Sequence, residues 1–233
     1  CDFNRSPIPT IQKLMAQLPR HGVTGILATL ISAPLMDMVT ATNTLEEVVH
    51  IAKPGHARIL GLHLEGPFLN PARRGAHHQR AILPPSTDAL DTLLSPNVKL
   101  MTMAPETDPN GRLLEALGQR GVLAFAGHTQ ANQQHLLQAK QRGLLGVSHL
   151  FNAMDGFTHR QPGTALYALN DDSLCLSLIA DGAHVHPEVL RLVMKVAGPD
   201  RLLLVSDASP LADSPDDHQG VFGEQTVTHR GQQ

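Results

Sequence analysis

A parallel α/β fold is what this sequence predicts, on three observations. Short apolar runs alternate with amphipathic stretches along the 233 residues; each amphipathic stretch closes on a glycine; and the polar residues of the apolar runs gather at their C-terminal ends. The alternation is the pattern of β/α units. Glycine is the residue that best accepts the left-handed conformation following a helix. The third observation concerns function, because a parallel barrel collects its strand C-termini on one face, where its chemistry is built.

The elements follow in order. PTIQKLMAQLPRHG (9–22) reads as a helix and GILATLI (25–31) as the first strand. TNTLEEVVHIAKPG (42–55) is the next helix, followed by the strand RILGLHLE (58–65). VKLMTMA (98–104), VLAFAGH (122–128), GVSHLF (146–151), LCLSLIAD (174–181) and RLLLVSD (201–207) are the remaining strands. Between them lie the helices GRLLEALGQRG (111–121), TQANQQHLLQAKQRG (129–143) and HPEVLRLVMKVAG (186–198). Thr129 is the expected N-cap of the second of these and Pro187 the first residue of the third. The polar stretch 213–233 reads as a loop or a hairpin, GVFGEQTVTHRG. Seven strands are one short of a (β/α)8 barrel. An open doubly wound sheet is the competing architecture, but the glycine-rich phosphate loop that often opens one is absent.

Composition narrows the function classes. The net charge is −3 and no run of Lys or Arg suggests a nucleic-acid footprint or a membrane-facing patch, so the expected partner is a small molecule. Aromatic residues make up 3 % with no Trp, which argues against a site built on stacking bases or sugars. The two cysteines, Cys1 and Cys175, form no CxxC pattern and indicate neither a disulfide framework nor a structural zinc knuckle. No stretch reaches the roughly eighteen apolar residues of a membrane span, and CDFNRSPIPT lacks the apolar core of a signal peptide. A reducing cytoplasm is the expected location.

LHLEGPFLN (62–70) places a histidine and a glutamate at i and i+2 of an apolar strand. Both side chains then face the same way, and a buried carboxylate needs a partner. Glu65, His128, His149 and Asp207 each end a different expected strand. Carboxylate plus imidazole is a ligand set suited to zinc or ferrous iron with a position left open for water, so a divalent cation would account for Glu65.

LHLEGPFLNPARRGAH, AGHTQA, SHLFNAM, IADGAHVHPEVL and VSDA, in this order and at these spacings, resemble the N-acetylglucosamine-6-phosphate deacetylase family of the amidohydrolase superfamily. The similarity runs from about residue 1 to at least 210. It implies a (β/α)8 TIM-type barrel of the metal-dependent amidohydrolase kind, with residues 1–233 as the catalytic barrel domain and seven of eight strands visible. On that resemblance, a small β-sandwich domain, the first barrel strand and the last barrel helix would lie outside the given sequence, either in further residues of a longer protein or lost from a true fragment. The resemblance further implies Glu65, His128 and His149 as metal ligands, Asp207 as the catalytic acid/base and His77 as the group that contacts the acetamide carbonyl. His184, Arg160 and the backbone around Asn152 and Ala153 would hold the sugar phosphate. One or two ions, zinc or iron, are implied. So is a homodimer, because the equivalent arginine can come from the neighbouring subunit. The implied reaction releases acetate from N-acetylglucosamine 6-phosphate; the galactosamine isomer is the alternative, since no visible motif fixes the C4 hydroxyl. A non-catalytic sugar-phosphate-binding relative is the third reading, and an intact acid/base argues against it.

Several residues carry plainer expectations. His63 reads as a packing or supporting histidine, His186 as a loop or cap residue, and Cys175 as a small buried hydrophobe. Arg73 and Arg74 read as a solvated pair, with a phosphate role as the alternative, since the resemblance places this loop at the border of the active site. Glu106 ends a strand in the right place, although the resemblance gives it no role.

Overall fold

The computed structural model describes residues 1–212, 214–215, 217–222 and 225–228. Seven parallel strands form one sheet: β1 (Gly25–Ile31), β2 (Arg58–Glu65), β3 (Val98–Met103), β4 (Leu123–Ala126), β5 (Leu144–Val147), β6 (Cys175–Ile179) and β7 (Leu202–Val205). Their order in the sheet is their order in the chain, with every neighbouring pair parallel. That order never reverses, which removes the doubly wound alternative. The helices α1 (Ile8–Gln17), α2 (Leu35–Val49), α3 (Thr87–Leu93), α4 (Arg112–Gln119), α5 (Gln133–Gln141), α6 (Thr164–Asn170) and α7 (Pro187–Ala197) connect them. A hairpin of β8 (Gln219–Phe222) and β9 (Gln225–Thr228) follows. It accords with the hairpin reading of 213–233; residues 213, 216, 223, 224 and 229–233 of that segment lie outside the described residues.

Helix periodicity explains the core. In α2 the buried residues Met38, Ala41, Thr42, Leu45 and Val48 recur at three- and four-residue spacing and form one stripe. In α1 the stripe is Ile11 and Met15. Along β2, Leu62 and Leu64 alternate with His63 and Glu65, so one face of the strand joins the apolar core while the other carries the polar pair. Leu64 is fully buried. Leu64→Ala is expected to destabilise the protein by about 2–5 kcal/mol, through lost transfer energy and the cavity left behind. A shift of the urea midpoint at constant slope measures it; an unchanged midpoint would place Leu64 outside the core.

The structure corrects several sequence expectations. β5 ends at Val147, not at Phe151, and β7 ends at Val205, so His149 and Asp207 each sit two residues past a strand rather than within it. α5 is capped not by Thr129 but by Asn132, whose side chain accepts from the His135 N–H at 3.0 Å in a capping box. α2 begins seven residues before the expected 42 and ends at Val49, ahead of Gly55. α3 and α6 were not expected at all. Pro187 does open α7, and His186 is its N-cap. Cys175 is half-buried rather than buried.

The two edges of the sheet are β1 and β7. Leu203, Leu204 and Val205 are exposed, Leu204 at 74 %.

Candidate active site

The C-terminal ends of the strands bring a carboxylate and three imidazoles together. Glu65 is the last residue of β2 and is buried. Its Oε1 lies 3.0 Å from His128 Nε2 and 2.9 Å from His149 Nε2, and its Oε2 lies 3.9 Å from His77 Nε2. All three histidines are buried. Their rings meet edge to face, with centroids 4.4 Å apart for His77 and His128 and 4.9 Å for His128 and His149.

Hydrogen bonds on the far side of each ring sort the three by tautomer. His128 Nδ1 lies 2.9 Å from the Arg73 carbonyl, and His149 Nδ1 lies 3.1 Å from the Asn152 carbonyl. A carbonyl only accepts, so Nδ1 carries the proton in both rings. In the neutral ring Nε2 then presents a bare lone pair to a carboxylate oxygen, and a proton or a cation has to stand between them. His77 is the opposite case. Its Nδ1 accepts from the Ser32 backbone N–H at 3.2 Å, so the neutral ring carries its proton on Nε2. His77 is therefore built to donate, although the ligand atoms of Glu65, His77 and His128 also lie within 4.8 Å of one another. A carboxylate with two lone-pair nitrogens converging on it is a donor set that fits a divalent metal, and the chain can hold one here.

Without an ion, the electrostatics favour a proton in that place at His149. Burial by itself raises the Glu65 carboxyl, but the hydrogen bonds and charges of His128 and His149 outweigh it and hold the carboxyl well below the usual range. Burial lowers His149, and the hydrogen bond to and charge of Glu65 reverse this and raise it. His77 and His63 are pushed down to about 4 by burial, which Glu65 only partly offsets, so both rings are neutral near pH 7. Asp207 is raised, by loss of water around it and then by the facing negative charge of Glu65. Asp207 is exposed, so the repulsion from Glu65 outweighs the loss of water there.

Backbone strain marks the same residues. His128, His149 and Asp207 have φ of 48°, 31° and 47°, and Phe151 and Ala153 have 77° and 49°. Left-handed φ is uncommon outside glycine and costs on the order of 1–3 kcal/mol per residue, so it persists where the surroundings enforce it. Three of the four strand-end candidates carry it, a signal that no residue pattern reveals.

Beneath the cluster runs a polar belt. His63 Nδ1 lies 3.1 Å from Thr29 Oγ1 and its Nε2 lies 2.8 Å from Thr102 Oγ1, which is 2.6 Å from Ser148 Oγ. Ser177 Oγ accepts from the His149 N–H at 2.6 Å. His63 thus supports the floor of the site, in line with the sequence expectation. Ser32, Thr102, Ser148 and Ser177 were not singled out from the sequence, where a serine or threonine in an apolar run gives no sign of what it will meet across the sheet.

The remaining candidates are spread around the rim. Asn152 N–H donates to the His149 carbonyl at 2.8 Å, and the Ala153 carbonyl accepts from Thr129 N–H at 3.1 Å. His184 Nδ1 lies 2.7 Å from Asp181, whose carboxylate also accepts from the Ala183 and His184 N–H groups. Arg160 is exposed on the turn between Phe157 and Pro162, and among the described residues no contact ties it to the cluster. Arg74 is exposed, as expected, with its Nη1 donating to the His77 carbonyl at 3.3 Å, whereas Arg73 is half-buried and pairs with Asp155.

Comparison with known proteins follows the same lines. No protein-family model matches the chain. It is 34 % identical over 227 residues to the N-acetylglucosamine-6-phosphate deacetylase of Bacillus subtilis (strain 168), covering 95 % of this chain and 57 % of that protein. It is 33 % identical over 224 residues to the N-acetylgalactosamine-6-phosphate deacetylase of Escherichia coli O157:H7, covering 95 % and 59 %. The N-acetyl-D-glucosamine-6-phosphate deacetylase of Mycobacterium smegmatis has been solved as an aspartate-to-alanine variant in complex with N-acetyl-D-glucosamine-6-phosphate. That structure superposes with a TM-score of 0.90 at 29 % identity, over 97 % of this chain and 58 % of that one. The chain thus spans 57 to 59 % of the length of these relatives, and over that span it is 29 to 34 % identical to them and matches the fold of the solved one.

Proposed function

We propose that this chain forms the catalytic barrel of a metal-dependent deacetylase that hydrolyses the acetamide of N-acetylglucosamine 6-phosphate to glucosamine 6-phosphate and acetate. The observation that carries the reading is the convergence on the buried Glu65 carboxylate of His128 Nε2 and His149 Nε2, each the ligating nitrogen of its neutral ring because Nδ1 donates to a carbonyl. Glu65, His128 and His149 would hold the ion, zinc or iron. When bound, a divalent cation supplies Lewis acidity, neutralising Glu65 and lowering the pKa of water in the site toward about 7.

The chain's own residues supply the rest. An amide is a weak electrophile with a poor leaving group, so its hydrolysis needs a polarised carbonyl, a base for the attacking water and a proton for the departing amine. His77, neutral and protonated on Nε2, donates to the carbonyl oxygen as negative charge builds there, a contribution of roughly 2.7–4 kcal/mol per donor in other enzymes. Asp207 takes the proton of the attacking water and returns it to the nitrogen as the C–N bond breaks. Ser32 and the belt around His63 hold the imidazoles still while this happens. The reading includes closure of the sheet by an eighth strand between β7 and β1, which the exposed Leu203 and Leu204 support.

The phosphate would be held by Arg160 and His184, near the Asn152 and Ala153 backbone. Arg160 stands on an exposed turn without a contact to the cluster, which supports a homodimer in which it serves the neighbouring subunit's site. Arg160→Ala is expected to raise KM strongly for the 6-phosphate and to leave the poor unphosphorylated substrate nearly unaffected. Equal losses on the two substrates would remove the phosphate role.

The galactosamine isomer is the second reading, favoured by the comparable identity to relatives of both activities. Acetate release from each 6-phosphate, with and without chelator, tests both. Release from neither, with metal bound, would sink the proposal.

A further inference from the structure

Glu106 has no part in the chemistry above, yet it occupies a junction. It lies just past β3, in the single turn Pro105–Thr107, half-buried. Its Oε1 accepts from Asn70 Nδ2 at 2.8 Å and from the Gln130 N–H at 2.6 Å, and its Oε2 accepts from the Thr129 hydroxyl at 2.5 Å. Charged acceptors make the stronger hydrogen bonds of a fold. Here three of them join the loop after β2 to the loop after β4.

Both loops lead to His128. Thr129 and Gln130 follow it directly. Asn70 donates its backbone N–H to the His128 carbonyl at 3.0 Å. The Asn70 Oδ1 accepts from the Ala72 N–H at 2.9 Å and so caps the turn Pro71–Arg73. That turn ends in the carbonyl of Arg73, which accepts from His128 Nδ1. Next along this loop, Gly75 lies so close that a Cβ there would stand 3.1 Å from His128 Cε1, and the loop then delivers His77. A left-handed φ at His128 lasts only where neighbouring groups over-determine it, and these are the neighbouring groups.

We propose that Glu106 is a positioning residue of the active site. By clamping the loop after β2 to the loop after β4, it fixes the backbone and the tautomer of His128 and the approach of His77. The inference rests on the reading of Glu65, His128 and His149 as metal ligands.

Two substitutions separate the clamp from a bulk effect. Glu106→Leu matches the side chain in size and removes both acceptor oxygens, and with them all three hydrogen bonds. Glu106→Gln keeps an oxygen for Asn70 and Gln130 and turns an NH2 toward the Thr129 oxygen, which can accept. Zinc affinity is measured on the purified protein by competition with a chromogenic chelator, and histidine tautomers are read from 15N spectra of the metal-free protein. Glu106→Leu is expected to weaken zinc by about tenfold or more, the scale of outer-shell losses, and to abolish the single Nδ1–H state of His128. Glu106→Gln should recover most of both. Unchanged zinc affinity and tautomer in Glu106→Leu would overturn the inference even if the melting temperature fell, because that is what a merely structural residue does. Equal damage in the Gln variant would trace the effect to charge and overturn it too. Should the Leu variant fail to fold, Asn70→Asp keeps the cap on Ala72 while setting a second carboxylate against Glu106, and unchanged zinc binding there would overturn the clamp. Failure of the unsubstituted protein to bind zinc would sink the ligand reading itself, and the clamp with it.

Discussion

Replacing Asp207 by Asn is expected to lower kcat by about 10²- to 10⁴-fold, the contribution of a positioned proton-transfer group. The side chains are nearly isosteric, and neither the Glu65–His128–His149 contacts nor the sheet depends on the lost charge. Fold, metal content and substrate affinity should therefore survive. The raised Asp207 carboxyl, with Glu65 repelling its negative charge, is suited to a group that must gain and release a proton. Metal content, substrate affinity and kcat, taken on one preparation, separate this from a ligand role. If the Asn protein loses its metal and added metal restores the rate, Asp207 is a ligand first. A near-normal kcat would remove it from both roles.

Glu65→Gln is expected to empty the site. A neutral amide no longer compensates a cation buried between two imidazoles, and its NH2 can donate to a bare Nε2, so the fold has a reason to persist without the ion. Metal content should drop to a small fraction of the unsubstituted value, and acetate release should fall at least as far as in Asp207→Asn. His149→Ala should behave alike. Normally folded Glu65→Gln and His149→Ala proteins that retain full metal would show that the ion, if any, binds elsewhere.

How much of this was legible in the residues depends on the range over which each signal acts. The i, i+2 pair in LHLE was readable because strand alternation is local, and β2 is seen at the bounds the sequence suggested. Glycine after a helix was also readable: Gly22, Gly121, Gly143 and Gly198 all have positive φ. α3 and α6 were missed because seven residues make too few turns to show a period, and only the Ser86 side chain, accepting from the Ala89 N–H, marks the start of α3. β5 starts at Leu144, two residues before the expected 146, because Leu144 and Leu145, between the glycine that closes the helix and Gly146, make too short a run to show a period. In the site, residue types pointed to Glu65, His128, His149 and Asp207 as strand-end groups. The tautomers were not legible, because they are set by Ser32 and Arg73 from other loops and by the tight turn that returns the Asn152 carbonyl to His149. Nor was the junction at Glu106, whose three donors come from residues 70, 129 and 130.

The strand order carries a consequence for how the protein is made. Because each strand pairs only with its neighbours in sequence, every step of sheet growth closes only the crossover between them, and the sheet can be laid down in order as the chain emerges from a ribosome. The pair that matters chemically is not local: Glu65 and His149 are 84 positions apart. At about 5–20 residues per second, the carboxylate waits roughly 4–17 s for its last imidazole. By then the first four strands can already be packed against their helices. An ion would therefore enter a scaffold already assembled, unlike the small domains whose chains stay unfolded until a metal organises them.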